Sequence, residues 1–320
     1  MEQNEVKDNP EDKSVKMDKA QTAVNFPDSK NAEMKLSPQV EEETCPSCGS
    51  EAVSSSNNIG PVSYIYALGR IDVRFPSLAV EKEFAQATGR AETVGLTDRQ
   101  ALHEVLSQRQ NFYLLRKLCW VLAIEGLDTY ILQPRYQADL DMLVEAVRPA
   151  PRPTDVDVVI GMQGPIAPPN MCNGLMVPIV LFDQIYSFDI DSIIKSIPQP
   201  DKMTEKQFAP VAEELFMRIM QMADNAGQTD EHRALNYLAV RYPAIYANTA
   251  DANSQNRSLT SVTVRTSRLT GTRKITDVIF TYTHRQTDVS EKYFVRVDVT
   301  EEFPFLISKM SPYYVYDQNP

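Results

Sequence analysis

DVDVVIGMQGPIAPPNMCNGLMVPIVLFDQIYSFDID, residues 155–191, is the stretch whose reading decides the fold. It reads as a buried strand, a proline-rich corner holding Cys172, and a second apolar strand that ends in acidic residues. The corner carries too many prolines for a helix or an interior strand, yet strong strands anchor it on both sides. Corners held that rigidly by a scaffold are where binding chemistry usually sits.

Upstream of the pair, VSYIYALGRIDVRFP alternates as a strand, with Tyr64, Tyr66 and Leu68 on one face. Ser77 caps a helix, LAVEKEFAQATG, that stops at Gly89. Thr97-Asp98 opens a second helix, whose pattern continues through Tyr113, Leu114 and Leu118 to Ile124. LDTYILQP follows as a strand, and residues 138–147 form an amphipathic helix with Leu140, Leu143, Val144 and Val147 on one side. This alternation predicts an α/β layer (α/β, or α+β for the whole chain).

Downstream, the composition changes at IPQPD, residues 197–201. Thr204 with Gln207 reads as a capping box for a helix through Leu215, Ile219 and Met222, and another helix runs from His232 to Tyr242. Residues 248–256 are polar and read as a loop. SLTSVTVRTSRL, ITDVIFTYTHRQ and KYFVRVDVT then alternate as three antiparallel strands. FPFLISKMSPYYVY adds one or two short strands whose Pro304 and Pro312 suit an edge. The expected organisation is a polar, disordered tail over 1–43, an α/β domain with a zinc knuckle over 44–200, and helices plus an antiparallel sheet over 201–320, packed on the first.

In a chain of 320 residues, a hydrophobic fraction of 42% supports a core that folds without disulfides. A net charge of -11 argues against nucleic acid as a partner. No stretch approaches the roughly 20 continuous apolar residues of a membrane helix, and the N-terminus has no apolar signal segment. The expected compartment is the cytoplasm, where four cysteines read as thiols or metal ligands before disulfides.

Cys45-Pro46-Ser47-Cys48-Gly49 is the sharpest local signal. Two thiolates at that spacing grip one tetrahedral ion, and Gly49 allows the tight turn beneath it. A redox pair is the competing reading, but such pairs open a helix after a strand, and the flanks here are loop-like. A structural zinc needs four ligands, and Cys172 in the corner and Cys119 in LLRKLCWVLAIEG complete the set. Cys119, spaced with Leu115 and Leu122 on the expected helix, also suits a buried core position. His103 is the reserve ligand. His103, His232 and His284 form no HxxxH or HxE pattern, and no GxSxG elbow, phosphate loop or GxGxxG occurs. Asp155, Asp157, Asp183, Asp189 and Asp191 read as water-facing strand ends and a helix cap before they read as a cluster. Arg70, Arg74 and Arg90 either receive a peptide carboxylate or form internal ion pairs. Trp120 is most simply core.

YALGRIDVRFPSLAVEKEFAQATGR, LCWVLAIEGLDTYIL, VVIGMQGPIAPPNMCNGLMVPIV and FDQIYSFD resemble the C-terminal domain of the cyanobactin maturation proteases, the PatA and PatG type. The resemblance runs from about Cys45 to the C-terminus. Proteins of that family process ribosomally made precursor peptides, through an N-terminal subtilisin-like domain of which this chain has no Asp, His or Ser segment. The shared C-terminal domain is of unknown function, so the resemblance implies a pathway context and no reaction. Two functional readings follow. The first is a non-catalytic, zinc-stabilised accessory module, partnered by a precursor peptide or a maturation protease. The second is a peptide-directed enzyme using Cys172 as nucleophile. An aromatic sheet edge near the C-terminus also predicts a homodimer.

Overall fold

The computed structural model describes residues 62–89, 96–148, 155–189, 191–192, 195, 205–221 and 224–314. The expected tail, the Cys45–Cys48 knuckle, Arg90 and the Thr204 cap lie outside these residues.

Strand β1 (Ser63–Arg74) organises the fold by changing partner midway. Its first half pairs antiparallel with β4 (Val156–Ile166), ending at Gly69↔Asp157. Its second half pairs antiparallel with β2 (Cys119–Ile124), from Arg70↔Ala123 to Arg74↔Cys119. With β3 (Leu127–Pro134) and β5 (Pro178–Phe188), the strands close into a barrel in the order β1-β2-β3-β5-β4. Only the β3–β5 pairing within it is parallel. The chain is mixed α and β as expected, and the expected α/β layer takes the form of a closed barrel of mostly antiparallel strands. The sequence pattern agrees with β1, β3, β4 and β5, but alternation along one strand carries no record of a partner change.

Helices α1 (Leu78–Thr88), α2 (Asp98–Ser107), α3 (Phe112–Leu115) and α4 (Leu140–Ala146) accompany the barrel. Ser77 accepts from the Val80 amide, and Thr97 and Gln100 form a reciprocal capping box, as the sequence predicts. The second helix does not run to Ile124: helical backbone ends at Leu115, and Cys119 begins β2. Every β2 residue is buried, Trp120 and Leu122 against one core and Cys119 and Val121 against another. A strand buried on both faces shows no alternation, so its apolar run reads as helix.

A second layer follows: α5 (Glu205–Met220), α6 (Asp230–Arg241) and α7 (Ala244–Ser254), then β6 (Arg257–Thr266), β7 (Ile275–His284), β8 (Ser290–Asp298) and β9 (Phe305–Pro312). These strands form an antiparallel sheet in sequence order, with β9 at an edge as its prolines suggested. The polar stretch read as a loop is mostly α7. Its small residues pack inward, and Thr249 satisfies its hydroxyl on the Ile245 carbonyl and the Tyr282 hydroxyl. Tertiary packing there overrides weak local propensity.

The two layers share a core. Tyr66, Leu68, Val158 and Ile160 on the barrel pack with Phe208, Leu238, Phe280 and Val297. One loop contact fixes β1 beneath α6: the Tyr66 amide donates to the Gly227 carbonyl at 2.9 Å, and Asn236 donates to the Tyr66 carbonyl at 2.8 Å. Gly227 has φ +73°, and a Cβ there would stand 2.5 Å from the Tyr66 oxygen. Only glycine allows that approach. Among the described residues, no helix is long and apolar enough to cross a membrane.

Candidate functional site

The corner between β4 and β5 is built by its own backbone. The Ala167 amide donates to the Val177 carbonyl at 2.9 Å and closes the base, and the Met171 amide donates to the Pro168 carbonyl at 2.9 Å. Cys172, Asn173 and Gly174 then all have positive φ, at 49°, 56° and 86°. Left-handed backbone is costly for a non-glycine residue, and such strain persists only where the surroundings hold it. What holds Cys172 is Cys119. The corner folds over the face of β2 that carries Cys119, and the two residues are joined as a disulfide with Cα atoms 5.6 Å apart. Both side chains are buried, with Cys172 only 3% exposed. A cavity of about 560 Å³ opens beside Cys172, against Val73, Arg74, Phe75 and Asp128.

Two of the four expected ligands are thus brought together, across a sequence separation of 53. Cys45 and Cys48 lie outside the described residues. Among the described residues no three His, Cys, Asp or Glu side chains converge as a metal site, so His103 on α2 does not join the pair.

Among the acidic residues, Asp155, Asp157 and Asp189 line one cavity of about 220 Å³ with Arg70, Arg99 and Arg148, although they form no metal-type cluster among the described residues. Asp157 and Asp183 are not the water-facing strand ends that the sequence suggested. Asp157 is buried, accepting from the Ile71 amide and the Ser187 hydroxyl, both at 2.9 Å. Burial pushes its carboxyl up, against the pull of those bonds. Asp183 is largely buried and pairs with Arg135 at 2.9 Å. Asp189 behaves as expected, accepting from the Asp191 amide and the Ser192 hydroxyl. Arg74 makes an internal ion pair with Asp128 at 2.6 Å. Arg70 has no ion pair among the described residues.

Asp157 matters for a second reason. Tyr66 turns its amide and carbonyl away from β4, so the odd residues of β1 turn theirs toward it. Beyond Gly69, β4 has ended. Ile71 fills the gap with side chains: its amide donates to Asp157, and its carbonyl accepts from Arg99 at 3.0 Å. The same alternation points the Val73 amide and carbonyl into a groove of about 990 Å³, where no partner among the described residues meets them. Phe75, Phe84 and Leu102 form its apolar wall, and Arg70 lies at its end. Sequence reasoning missed this groove, because an open edge on half a strand leaves no mark on hydrophobic alternation.

It also missed a carboxyl pair. Glu302, after β8, lies beside Asp183 and shares Arg135 with it, the Arg135–Glu302 contact being 4.0 Å. Burial first, then the neighbouring Asp183, pushes the Glu302 carboxyl up to about 7, although Arg135 and Arg233 oppose this. The folded chain therefore holds a proton there that the unfolded chain releases near the ordinary value of 4.5. The contribution is fully present below 4.5 and is lost as pH rises through 7. Glu302→Gln should remove that component. The check is the difference between the variant's and the parent's urea-unfolding free energies across this window; parallel pH curves would contradict it.

Residues 202–313 match the family model of the PatG C-terminal domain. This span lies downstream of the four stretches that carry the resemblance in the sequence. A solved structure, the PatG Domain of Unknown Function, is similar to 78% of this chain and 98% of that chain, at 18% identity and a TM-score of 0.62. That likeness shows a shared fold. No curated protein matched.

Proposed function

We propose that this chain, which carries a PatG C-terminal domain over residues 202–313, is a non-catalytic accessory module for the maturation of ribosomally made, cyanobactin-like peptides, stabilised by one zinc ion. The observation that carries the reading is the meeting of Cys119 and Cys172, both buried, at the strained corner. Reduced, the pair offers two thiolates side by side, and the Cys45–Cys48 spacing offers two more. Oxidised, the same two sulfurs are spent on each other. A reducing cytoplasm favours the first state.

The competing reading, an enzyme with Cys172 as nucleophile, needs an exposed thiolate with a base beside it. The burial of Cys172 against Cys119 weighs against that. On this reading the groove along β1 would receive the precursor peptide as an extended chain, pairing with Val73 and placing a side chain against Phe84 and Leu102.

Iodoacetamide labelling of the reduced, zinc-loaded native chain, read by peptide mass spectrometry, separates the two readings. Cys172 should stay unlabelled until a chelator is added. Rapid, selective alkylation of Cys172 with the zinc retained would establish the nucleophile instead.

A further inference from the structure

The second sheet buries one face against α5–α7, through Val278, Phe280, Val295 and Val297. Strand alternation puts Arg265, Asp277 and Arg296 side by side on the opposite face, in the register Arg265↔Asp277↔Arg296. That face is open: Ser261, Thr263, Lys292 and Phe305 on it are exposed.

Its charges are layered. Asp277 pairs with Arg296 at 3.0 Å and Arg265 at 3.8 Å, and Asp298 pairs with Arg273. The two carboxylates lie at the bottom, 4% and 1% exposed, while the three guanidinium side chains remain 30%, 42% and 53% exposed. Each guanidinium also lies over a ring: Arg296 over Phe294 at 4.8 Å, Arg265 over Tyr313 at 5.1 Å, and Arg273 over Phe305 at 5.2 Å. Lys292 adds a cation with no ion pair among the described residues. Solvent therefore meets positive charge and apolar ring edges here, on a chain whose net charge is -11.

We propose that this sheet face is a docking surface for an acidic, extended segment of another polypeptide. An arginine lying over a ring and tied by one edge to a buried carboxylate keeps further N–H donors free and already oriented. Those donors match carboxylates bidentately, with little side-chain entropy left to lose. The face does not suit a second copy of itself, because a two-fold contact would oppose like charges. It does not suit nucleic acid either, since the rings that would stack on bases are already covered by guanidinium groups. The proposal is independent of the cysteine reading and stands or falls apart from it.

The test is fluorescence anisotropy of the full chain with a short fluorescein-labelled peptide in which Glu alternates with Leu. Binding should weaken with salt, and Arg265→Glu or Lys292→Glu should each weaken it by about tenfold. Arg116→Glu, at the end of α3, should leave it unchanged. Lys292→Glu disturbs no ion pair among the described residues, so its result is readable even if the Arg265 variant misfolds. Three results would overturn the proposal: no saturable binding or none sensitive to Lys292→Glu, tighter binding of a single-stranded oligonucleotide of equal charge, or self-association of the chain that Lys292→Glu abolishes.

Discussion

Arg233→Met should cost about 3–5 kcal/mol of folding stability, the scale for breaking a buried charged hydrogen-bond set. Arg233 sits on α6 and is 2% exposed. Its guanidinium donates to the carbonyls of Val299, Glu301 and Glu302, pairs with Asp230 at 3.7 Å, and lies 5.6 Å from the Tyr64 ring. One side chain thereby ties the helical layer to the β8–β9 connection and to β1 of the barrel. Burial draws its affinity for the proton down, but Asp230 and Glu302 oppose this, and the guanidinium stays charged. Methionine fills much of the volume and leaves the three carbonyls short of a donor. Arg233→Lys should recover only part of the loss, because an ammonium cannot serve three diverging carbonyls with the same fork. Urea unfolding of the three proteins provides the check. A loss below about 1 kcal/mol for the methionine variant would mean that water replaces the guanidinium without penalty.

Arg233 also shows where the sequence stopped being legible. DEHRALNYLAVR reads as a helix, and it is one, but nothing in its period separates a buried arginine from a solvated one. The nearest signal was Asn236, a polar residue set between Leu235 and Leu238, which turns out to be fully buried on the Tyr66 carbonyl. Local chemistry was readable wherever it acts within a few residues: the Ser77 and Thr97 caps, the β4–β5 pair, and the alternating strands of the C-terminal sheet. Features that depend on distant partners were not. The barrel closes because β1 changes neighbour at Gly69, β2 lost its period by being buried on both sides, and Glu302 meets Asp183 only through the tertiary fold. The cysteines fall between these cases. Their count and the Cys45 spacing suggested a shared site, but only the fold brings Cys119 to Cys172, from a strand rather than the expected helix.

The largest expected effect belongs to the metal. A zinc held by Cys45, Cys48, Cys119 and Cys172 would staple the start of the chain to β2 and to the strained corner. Binding energy at such a site is folding energy, on the order of 10 kcal/mol in small zinc domains and less in a chain with a large core of its own. Cys48→Ser should therefore lose the metal and lower the melting temperature by many degrees, while the Glu302-linked pH dependence survives. Cys172→Ser should do the same, and in addition release the left-handed backbone at the corner. The most direct test of the account is the zinc content of the chain purified under reducing conditions, measured by elemental analysis against protein concentration. The account predicts close to one zinc per chain; a chain without zinc, with four freely titratable thiols, would contradict it.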